Sequence, residues 1–178
     1  MSVQLATATP LAMPPVTSDR LVVGIGEFAI ATRADQSIVT HALGSCIAVC
    51  LFDPVAGVAA MLHFLLPESS INPERARTQP GSFADTGIPL LFQTAYQYGL
   101  EKKRTIVKLA GGAEVSESGN AALQIGRRNA LAAKNLMWRN GVLIKNHDVG
   151  GNVARTVHLS ARDGRVQIFN GRDLLKEL

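Results

Sequence analysis

The sequence predicts a single α/β domain with mixed or antiparallel β-sheets and two main helices. Three observations predict it. Two apolar runs, 46–52 and 58–66, flank an Asp53-Pro54 turn signal, the pattern of a buried hairpin. Two stretches, 85–98 and 126–140, carry apolar residues at helical spacing. The remaining strand-like runs lie next to one another instead of alternating with helices, which disfavours a doubly wound parallel sheet.

Taken in order, residues 1–19 read as a flexible tail, with Pro10, Pro14 and Pro15 among small polar residues. The domain then runs from 20 to 178. Residues 21–26 form a first strand and 38–40 a short second one. The hairpin follows. Residues 67–82 are rich in Pro, Ser, Asn, Gly and Arg and read as a long surface loop. The first helix has Ile88, Leu91, Phe92 and Ala95 on its apolar face, with Asp85 or Thr86 as cap, Pro89 in the first turn and Gly99 as its stop. A strand at 105–109 runs into Gly111-Gly112. The second helix carries Ala130, Leu131, Lys134 and Trp138 and ends at Gly141. Strands at 142–144, 156–159 and 166–169 close the domain.

The bulk composition narrows the function. Of 178 residues, 47% are hydrophobic and 18% charged, enough to bury a core. The net charge of +4 comes from scattered Lys and Arg without interleaved aromatics, which argues against nucleic-acid binding. No apolar run reaches the ~18 residues of a membrane helix. No basic residue precedes Arg20, so the chain lacks the charged start of a signal peptide. Cys46 and Cys50 are four residues apart, about 13 Å on a strand, too far for a disulfide. Reduced thiols point to the cytoplasm. Gly24-Ile25-Gly26-Glu27 lacks the third glycine of a dinucleotide fingerprint, and there is no phosphate-binding G-x-x-x-x-G-K-[ST] loop.

The residues that could carry chemistry gather around one turn. In Thr40-His41-Ala42-Leu43-Gly44-Ser45-Cys46, small residues deliver a thiol to the start of an apolar strand. The amides of Gly44 and Ser45 can face a developing oxyanion. A hairpin closed by the four-residue loop 53–56 sets Cys46 opposite His63, whereas a register one residue different separates them. A free thiol, of pKa ~8.5, needs such a partner, and an imidazolium there stabilises the thiolate and then protonates a leaving amine. Thr40 can orient the imidazole, and strand propensity alone also accounts for it. Cys50 reads as packing. A metal site of Cys46, Cys50 and His63 has poor spacing and no fourth ligand. His41, His147 and His158 read as structural or solvated.

Several motifs in order resemble one family, the chemoreceptor glutamine deamidases called CheD. They are Val23-Gly24-Ile25-Gly26-Glu27, Leu43-Gly44-Ser45-Cys46-Ile47-Ala48-Val49-Cys50 with Asp53-Pro54, Met61-Leu62-His63-Phe64-Leu65-Leu66-Pro67, Lys108-Leu109-Ala110-Gly111-Gly112-Ala113, Ile125-Gly126-Arg127-Arg128-Asn129 and Asp148-Val149-Gly150-Gly151-Asn152. The resemblance implies Cys46 as nucleophile, His63 as catalytic histidine and Thr40 as third active-site residue. It implies a layered α/β fold similar to deamidating toxins, and hydrolysis of glutamine side chains on methyl-accepting chemoreceptors, without metal or cofactor. A further implied partner is a CheC-type phosphatase acting on phosphorylated CheY, which leaves a binding-partner role as the alternative to catalysis. Hydrolysis of γ-glutamyl methyl esters is a related option. A monomer is expected. Two departures stand out: Ala154 replaces the glycine usual before the arginine, which touches a turn, and Leu62 is bulkier than the usual small residue before the histidine.

Overall fold

A computed structural model describes residues 19–114 and 124–178. The expected tail at 1–19 lies, except for Asp19, outside the described residues. Ten strands and three helices follow in the order β1 (Arg20–Val22), β2 (Phe28–Ala31), β3 (Ser37–Leu43), β4 (Ile47–Asp53), β5 (Val58–Phe64), α1 (Pro73–Thr78), α2 (Ala84–Gln97), β6 (Ile106–Gly111), α3 (Ile125–Arg139), β7 (Ile144–Val149), β8 (Arg155–Ser160), β9 (Val166–Asn170) and β10 (Asp173–Glu177). They form two five-stranded sheets, β1-β3-β8-β9-β10 and β2-β5-β4-β6-β7. Both sheets are mixed, since β1 runs parallel to β3 and β7 parallel to β6, while the other pairs are antiparallel. The expected α/β class with mixed sheets and two main helices holds.

Layering explains why β4 and β5 read as unbroken apolar runs. Every residue of both strands is buried. Ile47, Val49, Leu51, Leu62 and Phe64 face Ile88, Leu91 and Ala95 of α2 and Ala133 and Met137 of α3. Ala48, Cys50, Phe52 and Met61 face Val157, Leu159 and Ile168 of the other sheet. A strand covered on both faces has no solvent side to alternate with. No helix among the described residues is long and apolar enough to cross a membrane.

The hairpin register differs from the expected one. Asp53 pairs with Val58, so the loop is 54–57 and Ala48, not Cys46, faces His63. The Asp53 side chain is the cause. It accepts hydrogen bonds from the Val55 and Ala56 amides at 2.9 and 3.1 Å, while its carbonyl accepts one from Gly57 at 2.9 Å. That Asx turn keeps Asp53 in the ladder and moves the loop one residue on.

Other differences sit at edges and ends. The stretch 67–82 is no open loop: it holds 3₁₀ turns at Ser69–Ile71 and Pro80–Ser82 around α1, and Gly81 and Ser82 are buried. Helix α2 begins after Phe83, which makes no side-chain cap. Asp85 instead accepts from the Ser69 amide and hydroxyl, the Thr86 hydroxyl donates to the Pro80 carbonyl, and Pro89 falls inside the helix beyond its first turn. Strand β7 occupies Ile144–Val149 instead of 142–144, and β2 and β10 were not expected. All three are sheet edges: β2 is apolar but only four residues long, β7 is mostly polar, and β10 is exposed throughout.

Candidate active site

Thr40 reaches across from β3 to His63 on β5, linking the two sheets. Its hydroxyl donates to the Val23 carbonyl at 2.7 Å. Its oxygen also lies 2.8 Å from Nδ1 of His63. A hydroxyl has one proton, and the carbonyl can only accept, so Nδ1–H must donate to Thr40. This fixes the imidazole tautomer and leaves the Nε2 lone pair free. Nε2 is buried and accepts no hydrogen bond.

The backbone of His63 is clamped by the loop before β2. Gly26 donates to the His63 carbonyl at 2.7 Å, and the His63 amide donates to Glu27 at 3.0 Å. Gly26 has φ +78°, and a side chain there would strike the Ser82 hydroxyl. The 23–27 segment is thus a brace for Thr40 and His63 and not a nucleotide loop. The sequence predicts most of it as part of a first strand at 21–26, but the strand ends at Val22.

Cys46 lies just ahead of β4, two residues before Ala48, the residue opposite His63. On a pleated sheet that makes Cys46 a diagonal neighbour on the His63 face, with β carbons about 7 Å apart. The register thus puts Cys46 on the His63 face as a diagonal neighbour and not a direct pair, and Thr40 bonds to His63. Cys46 keeps 6% exposure and His63 only 2%. Cys50 is enclosed in the inter-sheet core, where burial pushes its thiol up to about 12.

Burial also sets the charge state of the pair. It pushes the Cys46 thiol up, opposed in part by the residue's own amide. It pulls the His63 imidazole down to about 4. Both shifts favour the neutral forms, thiol and imidazole.

The turn carrying Cys46 is held from one side. The carbonyls of Gly44 and Cys46 accept from Ala113 and Gly112, at 2.8 and 2.7 Å. The Ser45 carbonyl accepts from Nδ2 of Asn129 at 2.9 Å. A peptide N–H points opposite to the preceding C=O in the same plane. The amides of Ser45 and Cys46 therefore turn to the other side, and neither donates to another backbone group among the described residues. Gly126 lets α3 approach, because a side chain there would run into the Gly112 carbonyl.

The two departures in sequence lie off the site. Leu62 faces the helices, away from the His63 side chain. The Arg155 side chain binds Asp148 at 2.7 Å and the Gly150 carbonyl at 2.8 Å, fastening the turn after β7. His41 and His147 are exposed, and His158 packs on Phe169 with ring centroids 5.0 Å apart.

The family described as CheD chemotactic sensory transduction matches residues 65–170. A probable chemoreceptor glutamine deamidase CheD 1 of Syntrophus aciditrophicus is 44% identical over 89% of this chain and 98% of its own. A probable chemoreceptor glutamine deamidase CheD 2 of Anaeromyxobacter dehalogenans is 46% identical over 85% of this chain and 94% of its own. The chemoreceptor glutamine deamidase CheD of Thermotoga maritima is 39% identical over 83% and 89%. The family match begins after His63, but a 158-residue alignment within 178 residues takes in Thr40, Cys46 and His63. With a family match over more than half its length and relatives aligned nearly end to end, the chain belongs to the CheD family.

Proposed function

We propose that this protein hydrolyses glutamine side chains of chemoreceptors to glutamate, with Cys46 as nucleophile, His63 as proton carrier and Thr40 as the residue that orients His63. The supporting observation is the fixed imidazole, whose Nδ1–H is spent on Thr40 while its buried Nε2 has no partner, on the sheet face that the register also gives to Cys46. Such an imidazole is a base that needs no prior charge separation.

Nε2 takes the thiol proton as Sγ bonds to the glutamine δ-carbon. The carbonyl oxygen becomes an oxyanion facing the amides of Ser45 and Cys46, which have no backbone acceptor among the described residues, in the turn that begins at Gly44. The imidazolium returns its proton to the amide nitrogen, the C–N bond breaks, and ammonia leaves. The thioester remains. A water gives a proton to Nε2 and attacks the same carbon. The C–S bond breaks, the thiol is reprotonated, and glutamate is released. His63 moves every proton, so the cycle calls for no metal or cofactor.

The reaction belongs in the cytoplasm on this reading, where a free catalytic thiol persists. The chain acts as a monomer. A CheC-type phosphatase is the second partner that the reading admits. Light scattering after size exclusion, with and without that phosphatase, tests both points. The catalytic reading is tested by incubating a receptor cytoplasmic fragment with the protein. Defined glutamines should gain about one mass unit with matching ammonia release, and Cys46→Ser should abolish both. An unchanged receptor would reject the reading in favour of a binding role.

A further inference from the structure

Asn129 lies in the first turns of α3, and its side chain is fully buried. Nδ2 has two hydrogens, and both are used. One goes to the Ser45 carbonyl at 2.9 Å and the other to the Leu65 carbonyl at 2.8 Å. Ser45 immediately precedes the nucleophile. Leu65 lies two residues beyond His63. One carboxamide thus ties the turn of Cys46 to the strand of His63, and no other side chain among the described residues bonds to both.

The cost of this arrangement is visible. Asn129 Oδ1 is buried without a partner. Flipping the carboxamide would not help, because Oδ1 would then face two carbonyl oxygens. The pair of acceptors fixes the orientation and leaves the orphan. A buried unpartnered acceptor of this kind calls for a reason.

We propose that Asn129 is a positioning residue for the deamidation, aiming the Cys46 N–H at the transition-state oxyanion by capturing the carbonyl of the same peptide. This rests on the deamidase reading above. The Ser45–Cys46 peptide is planar, so holding its carbonyl toward α3 turns its N–H toward the reacting carbon. Ala113 does the same for the Gly44–Ser45 peptide through a backbone bond that side-chain substitution leaves in place. Asn129 is the part of the cradle supplied by a side chain. Its effect belongs to the transition state, because the ground-state amide oxygen of the substrate gains less from the same donor.

The test compares wild type with Asn129→Asp, Asn129→Ser and Asn129→Ala on a receptor fragment. Ammonia release is normalised to the Cys46 thiol that a glutamine-mimicking alkylator can titrate. A second probe is a receptor peptide whose target glutamine carries an aldehyde in place of its carboxamide, which adds to the thiol and forms a tetrahedral oxyanion. The expected result is kcat per titrated thiol about 100-fold lower, with KM within about threefold. Aldehyde affinity should fall in parallel while binding of the unmodified peptide stays constant. A purely structural role predicts fewer titratable thiols at normal kcat. That outcome, a rise in KM at constant kcat, or failure of all three variants to fold would overturn the proposal. Absence of turnover by wild type would instead reject the deamidase reading itself.

Discussion

On the proposed mechanism, Thr40, His63 and Cys46 form a relay whose direction is set by one shared proton. The Thr40 hydroxyl has a better claim on the Val23 carbonyl than on the imidazole, so His63 must present Nδ1–H. Replacing Thr40 by Val leaves Nδ1–H and the Val23 carbonyl without partners, at about 1–3 kcal/mol for each buried group. Thr40→Val should lower kcat by about 10- to 100-fold and lower the melting temperature, while Thr40→Ser should keep most of both. Equal kcat values for Val and Ser would mean that the hydroxyl does not orient the base. Acid behaviour follows from His63. Its folded pKa of about 4 lies below the unfolded value of 6.5, so burial of the neutral ring stabilises the fold above pH 6.5. That contribution, at most about 3 kcal/mol, declines as pH falls from 6.5 to 4. Denaturant unfolding should follow this slope in wild type and lose it in His63→Asn. The Cys46 thiolate absorbance, read against Cys46→Ser, should rise at higher pH than that of a free thiol, as burial requires. A rise near neutrality would indicate the ion pair instead.

At the scale of elements, the β4–β5 hairpin was legible as a pair of buried strands, but its register was not. Apolar runs covered on both faces carry no alternation, so they do not mark which residue faces which. The Asp53 turn decided it. Burial pushes the Asp53 carboxyl up, but the Arg104 guanidinium and the amides of Glu101, Ala56 and Val55 outweigh burial and hold it at about 2. Arg104 lies 2.8 Å away. Asp53→Ala should therefore cost about 3 kcal/mol in urea unfolding, since it strands three amides and a guanidinium. A loss under about 1 kcal/mol would show that the turn holds without its carboxylate. The edge strands β2, β7 and β10 escaped the sequence reading for a different reason. They bury few side chains, so their pairing rests on backbone bonds that many sequences supply.

For the whole molecule, the two sheets and α3 meet around Cys46, the proposed nucleophile. Cys46 hangs between β3 in one sheet and β4 in the other, its turn is pinned by the end of β6 and by α3, and His63 answers from β5. The sequence offered Thr40, Cys46 and His63 as candidates chiefly through the family resemblance, because the turn before Cys46 and the cysteine-to-histidine interval also fit an ordinary buried hairpin. Asn129 and the brace at Val23–Glu27 stood in quoted motifs, but their purpose depends on contacts across 84 positions in one case and 17 in the other. The push of both groups toward their neutral forms was also hidden, because it depends on how deeply the layers bury them. The central claim is covalent attack by Cys46 on a receptor glutamine. The most direct test is intact-mass analysis of the protein, acid-quenched during turnover of a glutamine-containing receptor peptide. The account predicts an adduct equal to the peptide less ammonia, mapped to Cys46 and lost in Cys46→Ser. Continued deamidation with no acyl group on Cys46, or by Cys46→Ser at the wild-type rate, would contradict it.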